Sequence, residues 1–212
     1  MSKTAMIWGV NGGIGHAIAT ELRQNGWAVV GICRQPEETN GLTDYAFAAD
    51  VSREFDVQTA VHATSLEVDQ IDLWAYAVGD IETTPVAVLN TESWQRQIDA
   101  NLTGPFLATK HSLPLLAKDA HLIYLGAVSE RLKLPKFSAY VAAKAGLEAF
   151  VASLQKELRG KKITLVRPGA VATPFWDKLP LRLPKDAAPP EKVAKRILSA
   201  YEEGHSGQLD LV

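Results

Sequence analysis

Residues 8–18 read WGVNGGIGHAI, a glycine-rich run that lies between an apolar segment and a segment of helical spacing. The apolar residues 5–9 predict a buried strand, and residues 14–25 predict a helix. Such a turn lets the chain approach a pyrophosphate closely and direct helix amides at it, and Gly9, Gly13 and Gly15 fit this arrangement. A plain strand-to-helix turn has the same composition, but the location after the first strand favours a dinucleotide site.

Similar strand–helix units follow along the chain. Apolar runs predict strands at residues 27–33, 45–49, 72–78, 121–125, 162–166 and 208–212, and helical spacing predicts helices at 54–68, 92–116, 138–158 and 190–201. Pro36 and Asn40-Gly41 argue against a full helix after the second strand, and Gly104-Pro105 predicts a bend in the longest helix. Continuous apolar strands separated by helices predict an α/β, doubly wound (Rossmann) parallel sheet of about seven strands with helices on both faces.

The composition is that of an ordinary globular chain: 212 residues, 47% hydrophobic, 22% charged and a net charge of −2. This length suits a single domain over residues 1–212, and the charge gives no indication of a nucleic-acid partner. The sequence has no run of ~18 apolar residues and no leader pattern, so we expect a cytoplasmic protein without a membrane partner. The single Cys33 is consistent with a reducing compartment, and the scattered histidines lack metal-ligand spacing, so we expect no metal site.

The end of the second predicted strand bears on cofactor selectivity. In a dinucleotide fold, an acidic side chain at this point binds the ribose of NAD, whereas an arginine accommodates the 2′-phosphate of NADP. The sequence here is Cys33-Arg34, and no carboxylate follows directly. Arg34 therefore favours NADP(H), while Glu37 and Glu38 a little further on keep NAD(H) possible. A solvated surface charge is the other interpretation of Arg34.

Tyr140 and Lys144 lie four residues apart in a predicted helix and share one face of it. A nearby ammonium favours the phenolate form of a tyrosine, and such a tyrosine can donate a proton to a carbonyl or accept one from an alcohol. The Tyr-x-x-x-Lys pattern is also common on exposed faces of amphipathic helices. The pair alone therefore does not establish a site.

Five motifs taken together resemble the short-chain dehydrogenase/reductase family. They are Gly9-x-x-x-Gly13-Ile14-Gly15, Asp50-Val51, Asn101-Leu102-Thr103-Gly104, Tyr140-x-x-x-Lys144 and Arg167-Pro168-Gly169. They occur in order and at suitable separations over nearly the whole chain. The resemblance implies a nicotinamide cofactor, a small-molecule carbonyl or alcohol as substrate, and a homodimer or homotetramer.

The resemblance also implies roles for individual residues. Tyr140 would be the acid/base, Lys144 would bind the nicotinamide ribose and lower the pKa of Tyr140, and Asn101 would bend the long helix and hold a water of a proton relay. Together with Arg34, the expected cofactor-binding residues come from the glycine-rich turn, the strand ends and the helix of Tyr140: Gly9, Asn11, Gly12, Gly13, Ile14, Gly15, Arg34, Asp50, Val51, Ala77, Val78, Gly79, Tyr140, Lys144, Pro168, Gly169, Val171 and Thr173.

The sequence departs from the family pattern at three places. Trp8 stands where the family has a threonine, and Tyr76-Ala77-Val78-Gly79 replaces Asn-Asn-Ala-Gly. The substrate-binding serine is replaced by Ala127. Ser129 could substitute for that serine only if the chain bends, because two residues of extended strand span roughly 6.6 Å; otherwise Ser129 is a loop hydroxyl in a local turn. Loss of one such donor typically slows turnover by about 10²–10³, which weakens an enzyme without abolishing it.

These observations predict an NAD(P)-dependent oxidoreductase, with NADP preferred, that reduces a carbonyl to an alcohol or catalyses the reverse. The alternative is a catalytically weak or inactive NADP(H)-binding sensor or interaction protein, which Ala127 motivates. A nucleotide-sugar isomerase or epimerase ranks lower, because such relatives carry a longer C-terminal domain than the about 40 residues after Thr173. Residues 173–190 form either a surface loop or an apolar lid made by Phe175, Trp176, Leu179, Leu181 and Leu183.

Overall fold

The computed structural model describes residues 3–39 and 41–211, and within them seven parallel strands form one sheet in the order β3-β2-β1-β4-β5-β6-β7. The order reverses between β1 and β4, which is where doubly wound sheets open a crevice at their carboxyl ends. The strands are β1 Thr4–Trp8, β2 Ala28–Cys33, β3 Tyr45–Ala48, β4 Ile71–Tyr76, β5 Leu116–Leu125, β6 Lys162–Pro168 and β7 Gly207–Leu211. The predicted fold class is confirmed.

Six α-helices connect the strands: α1 Gly13–Gln24, α2 Glu54–Glu67, α3 Thr91–Ile98, α4 Gly104–Ser112, α5 Ser138–Glu157 and α6 Pro190–Glu202, counted over the described residues. As predicted, the connection after β2 contains no full helix among its described residues, and they include the short 3₁₀ helix Pro36–Thr39. Strand β5 begins five residues earlier than predicted, through an irregular pairing in which Ile71 faces Leu116 and Leu73 faces His121. Asn40 and Val212, which fall in a predicted turn and the predicted last strand, lie outside the described residues.

Alternate residues of the strands pack against helices on opposite faces of the sheet. Met6 and Trp8 of β1 belong to a core cluster that includes residues of α2, α4 and α5, whereas Ala5 and Ile7 belong to one that includes residues of α1 and α6. Both sides of the strand are fully buried, which explains why the strands read as continuous apolar runs. None of the helices in the described part of the chain is both long and apolar enough to cross a membrane.

The predicted long helix is interrupted one turn earlier than expected. A π-helical segment, Asp99–Thr103, joins α3 to α4, so the irregularity precedes Gly104-Pro105 instead of falling on it. Pro105 has no N–H to donate to the carbonyl of the residue four positions before it, and a π turn absorbs this lost bond. The Tyr76 hydroxyl donates to the carbonyl oxygen of Ala100 at 2.9 Å. The tyrosine that replaces a family asparagine thus supports the π segment.

Gly104 makes room for the Tyr76 hydroxyl. A Cβ at position 104 would clash with that hydroxyl and would lie 2.8 Å from the carbonyl oxygen of Asp99. We expect Gly104→Ala to lower the free energy of unfolding by about 1–3 kcal/mol, because neither group can move without breaking the bond to Ala100. Urea denaturation monitored by circular dichroism measures the change.

Gly146→Ala is the matched control within a helix. Its Cβ would meet only the end of the Leu102 side chain, at 2.9 Å, and that side chain can shift. An alanine also favours the helix by up to about 1 kcal/mol, so this variant should be neutral or slightly stabilised. Equal destabilisation of the two variants would contradict the assignment of a specific clash at Gly104.

Candidate active site

A cavity of about 1610 Å³ opens across the carboxyl ends of the central strands. Most residues predicted to bind the cofactor or to act in catalysis line it: Gly9, Asn11, Gly12, Gly13, Ile14, Arg34, Asp50, Val51, Ala77, Val78, Gly79, Tyr140, Lys144, Pro168, Gly169, Val171 and Thr173. The predicted site residues Gly15, Asn101 and Ser129 are not part of its lining. The topology therefore brings residues from distant parts of the chain to one cavity.

The glycine-rich turn is pressed between its two neighbouring strands. Gly9 has a φ of +82°, and a Cβ there would lie 2.8 Å from the Val78 nitrogen at the end of β4. The N–H of Gly9 donates to the carbonyl oxygen of Ile32 at 2.7 Å. The N–H of Ala77 donates to the carbonyl oxygen of Trp8 at 2.8 Å. Only a glycine combines this left-handed conformation with such close backbone approach.

Backbone contacts also hold the turn in the absence of the family's threonine hydroxyl. The Trp8 side chain is fully buried in the core, and the N–H of Gly12 donates to the carbonyl oxygen of Gly9 at 2.9 Å. The Asn11 side chain donates to the carbonyl oxygen of Gln35 at 2.9 Å, which links the turn to the segment that carries Arg34.

Helix α1 begins at the cavity, and no side chain in the described part of the chain caps its first amides. Gly12 provides no side-chain cap, and the first turn contains no acidic residue. The first amides of a helix need external acceptors, and the helix dipole favours an anion at this end. Gly12, Gly13 and Ile14 line the cavity, and Gly13 packs against Thr173. The turn and the helix end together fit a dinucleotide pyrophosphate.

Arg34 and Asp50 lie together at the other end of the cavity. Partial burial acts to raise the pKa of Asp50, but hydrogen bonds from Ser52 and the charges of Arg34 and Arg53 outweigh it, so the pKa is below its ordinary value. The Arg34 side chain is exposed at the cavity edge, as a 2′-phosphate ligand would need to be. Glu38 also lines the cavity, whereas Glu37 does not.

Tyr140 and Lys144 are buried on the α5 side of the cavity, with exposures of 7% and 4%. The Lys144 ammonium donates to the carbonyl oxygen of Leu125 at 2.8 Å and lies 5.7 Å from the centre of the Tyr140 ring. Burial lowers the pKa of Lys144 to about 8 and raises the pKa of Tyr140 above its ordinary value. Desolvation dominates the pKa of Tyr140 in the protein alone, and the expected lowering of this pKa by Lys144 stays a prediction.

Asn101 lies directly behind the cavity wall, in the π-helical segment. Its side chain is fully buried, and its Nδ2 donates to the carbonyl oxygens of Asp80 at 2.7 Å and Gln97 at 2.8 Å. Its Oδ1 has no hydrogen-bond partner among the described residues and is the atom that a Cβ on Gly79 would meet, at 3.3 Å. Asn101 thus presents an unpaired acceptor behind a residue of the cavity lining.

The structure leaves Ser129 outside the cavity. The chain does bend after β5, into the 3₁₀ helix Ser129–Leu132, but Ser129 is 4% exposed and absent from the lining that includes Ala127. Its neighbour Glu130 accepts two bonds from Arg167, at 2.8 and 3.0 Å, and Arg167 also makes a bidentate pair with Asp210 at 2.8 and 2.9 Å. This ion-pair cluster holds the bend with Ser129 outside the lining, so the structure gives no support to a contact between its hydroxyl and a substrate.

Large apolar side chains surround the Tyr140 end of the cavity. The Phe175 ring lies 6.1 Å from that of Tyr140, centre to centre. The predicted lid residues Phe175, Trp176, Leu179 and Leu181 line the cavity together with Ile81, Leu132, Leu134 and Phe137. Leu183 is not part of the lining and is 42% exposed. The segment after β6, called the lid below, thus lines the cavity with four of its five expected apolar residues, and its covering of a substrate stays a prediction.

Asp80 is a cavity residue that the sequence reasoning missed. Its carboxylate accepts hydrogen bonds from Arg96 Nε at 2.7 Å and from the ammonium of Lys178. Its carbonyl oxygen accepts a hydrogen bond from Asn101 Nδ2. Partial burial acts to raise the pKa of this carboxyl, but the bonds from Lys178 and Arg96 prevail and lower it. The available signal was its location directly after a buried strand, where strand ends meet at the site.

Comparison with known proteins agrees with this architecture. The sequence model of a family described as short chain dehydrogenase matches residues 3–183. An uncharacterized oxidoreductase from Staphylococcus epidermidis is 31% identical over 185 residues, covering 82% of this chain and 80% of that protein. A 3-oxoacyl-[acyl-carrier-protein] reductase from a Synechocystis species is 31% identical over 192 residues, covering 84% and 78%.

The fold has close structural counterparts as well. An alcohol dehydrogenase from the archaeon Thermococcus sibiricus, complexed with 5-hydroxy-NADP, superposes with a TM-score of 0.89 over 100% of this chain and 96% of its own, at 23% identity. At this identity the likeness concerns the fold. The match over residues 3–183 and the relatives at 31% identity carry the assignment: the chain belongs to the short-chain dehydrogenase family of oxidoreductases.

Proposed function

We propose that the protein reduces a carbonyl to an alcohol, or catalyses the reverse, with NADP(H) as the preferred cofactor. The observation that carries the proposal is that one cavity joins the uncapped start of α1 to the buried pair Tyr140 and Lys144. The similarity to the reductase from Synechocystis supports this reaction class.

The residues of the cavity suit a nicotinamide dinucleotide. The glycine-rich turn and the amides of α1 would hold the pyrophosphate, Asp50 and Arg34 the adenosine half, and Lys144 the nicotinamide ribose. When bound, the cofactor supplies or accepts the hydride. The exposed guanidinium of Arg34 favours a 2′-phosphate, since arginine binds phosphate through paired, charge-assisted hydrogen bonds. Glu38 is the residue by which NAD(H) would be accommodated instead.

Tyr140 is suited to donate a proton. Its phenol is protonated at neutral pH, and this form is the one that carbonyl reduction needs. Burial raises the pKa of the phenol and by itself makes it a weaker donor, so donation would depend on the nearby positive charge of Lys144. Lys144, with a pKa of about 8, retains much of its charge near pH 7 and can return a proton towards Tyr140. The unpaired Oδ1 of Asn101 is where a water of the relay would bind.

The chamber around Tyr140 favours a carbonyl compound with an apolar body. Its walls include Phe137, Phe175 and Leu179, which exclude water and strengthen the polar contacts made to the carbonyl oxygen. Ala127 offers no hydroxyl to that oxygen, so Tyr140 would be its principal side-chain donor. We therefore expect slow turnover relative to a site with a serine. A sensor without catalysis remains the second candidate, which Ala127 favours.

Tyr140→Phe should lower kcat by about 10²–10⁴, the usual contribution of a positioned proton donor. The NADPH dissociation constant should change little, because phenylalanine keeps the ring and the residues proposed to hold the pyrophosphate are unchanged. Oxidation of NADPH over a panel of apolar ketones, aldehydes and quinones measures the effect.

Tyr124→Phe is the matched control, since Tyr124 is buried and bonded to Thr109 at 2.6 Å outside the cavity. Its kcat should match that of the wild type. Undiminished turnover in Tyr140→Phe would show that another group is the proton donor.

Arg34→Ala should weaken NADPH binding by roughly 10- to 100-fold, the value of a charge-assisted hydrogen bond, and should leave NADH binding nearly unchanged. Calorimetric titration of both cofactors measures the selectivity. Arg53→Ala is the control, because Arg53 also lies near Asp50 but not in the cavity lining. Equal losses for NADPH and NADH in Arg34→Ala would count against a 2′-phosphate contact.

Ala127→Ser should raise kcat at least about tenfold, because it adds a donor to the carbonyl oxygen. Ala142→Ser, on the exposed side of α5, is the control and should have no effect. Tight NADPH binding without turnover in either the wild type or Ala127→Ser would instead support the sensor.

A further inference from the structure

The lid has one polar tether to the rest of the described chain. Among the side chains of residues 174–183, Lys178 alone makes a hydrogen bond or ion pair within the described residues, and its partner is Asp80 Oδ1. The other contacts of this segment are apolar packing and local backbone turns, such as Leu179 N–H to Trp176 O at 3.0 Å. Closure of the lid therefore depends on apolar contacts and one ion pair.

Asp80 is firmly held on the opposite wall. Its side chain is 13% exposed, and its Oδ2 accepts from Arg96 Nε at 2.7 Å. Arg96 also pairs with Glu82 at 2.6 Å, and the N–H of Glu82 donates to Gln97 Oε1 at 3.1 Å. Helix α3 thus fixes the carboxylate, while Lys178, 48% exposed, comes from the lid.

The backbone of Asp80 reaches a second part of the site. Its carbonyl oxygen accepts from Asn101 Nδ2 at 2.7 Å, and the remaining Nδ2 bond goes to Gln97 O at 2.8 Å. With Nδ2 held by these two bonds, Asn101 Oδ1 is the nearest atom to the point where a Cβ on Gly79, in the cavity wall, would lie. One residue therefore contacts both the lid and the asparagine of the π segment.

We propose that Asp80 is a positioning residue: its carboxylate holds the apolar lid closed through Lys178, and its carbonyl fixes the orientation of Asn101. Arg96 already holds the carboxylate in place, so the pair with Lys178 fixes fewer side-chain torsions than an ion pair between two exposed groups. Closure over an apolar substrate and the geometry of Asn101 are coupled through this residue. The kinetic part of the proposal rests on the proposed function, whereas the closure of the lid does not.

Limited chymotrypsin digestion tests the closure, with cleavage after Phe175 and Trp176 followed by mass spectrometry. Lys178→Met keeps the apolar stem and removes the charge, so cleavage should accelerate about 3- to 10-fold, as expected for loss of a partly buried ion pair. Arg96→Met is the matched control: it removes the other cation from the same carboxylate and should change the lid cleavage rate by less than about twofold. Equal rates for the wild type and Lys178→Met would overturn the proposal.

Asp80→Asn supplies a second route to the same result. It keeps the backbone carbonyl that accepts the hydrogen bond from Asn101, and it should accelerate lid cleavage to the same extent as Lys178→Met. The double variant should be cleaved no faster than either single one, because the two changes remove one interaction. Molar salt should accelerate cleavage of the wild type but not of Lys178→Met, since screening acts on the ion pair. Additive effects in the double variant would overturn the pairing.

Kinetics with NADPH and an apolar ketone separate positioning from general damage. Lys178→Met should raise the KM for the ketone about 3- to 10-fold and leave the NADPH dissociation constant unchanged. An unchanged KM would overturn the link between lid and substrate. If the wild type turns over no carbonyl, the proposed function fails, and the digestion results still decide whether Asp80 holds the lid.

Discussion

The close approach of Gly9 to the end of β4 is the constraint on which the rest of the site depends. With a φ of +82° and a position where a Cβ would lie 2.8 Å from Val78 N, Gly9 turns the chain from β1 into α1 against the neighbouring strand. The start of α1 then faces the crevice where the strand order reverses. The exposure of uncapped α1 amides to the crevice and the packing of Gly13 against Thr173 both follow from this turn.

Burial has opposite consequences for the two ionisable residues of α5. It raises the pKa of Tyr140 and lowers that of Lys144 to about 8, so the phenol is neutral and a weaker acid, whereas the ammonium is a stronger acid than an exposed lysine. In the proposed reaction the lysine is therefore the group that gives up its proton more readily, and the phenol depends on that neighbouring charge to donate. The chamber around Tyr140 lacks the hydroxyl that a serine at position 127 would contribute. If the protein has the proposed activity, we expect this absence to lower the rate of turnover.

Local patterns in the sequence predicted most of the fold, and long-range contacts account for what they missed. Residues close together in the sequence determine the strands, the glycine-rich turn and the placement of Tyr140 and Lys144 on one face of a helix. The ion pair of Asp80 joins residues 98 positions apart, and that of Arg167 with Glu130 joins residues 37 apart. No local pattern indicates such partners, so local patterns neither identify Asp80 nor fix where Ser129 lies relative to the cavity. The bend expected at Gly104-Pro105 occurs in the preceding turn, because Pro105 leaves the carbonyl of that turn without its N–H partner.

A crystal structure of the protein with NADPH and an unreactive apolar ketone analogue would test the proposed site most directly. We expect the pyrophosphate at the first amides of α1, the 2′-phosphate at Arg34, and the Tyr140 hydroxyl within hydrogen-bonding distance of the ligand's carbonyl oxygen. Ser129 should remain outside the cavity. A cofactor bound elsewhere, or a carbonyl oxygen held by a group other than Tyr140, would contradict the assignment of the site.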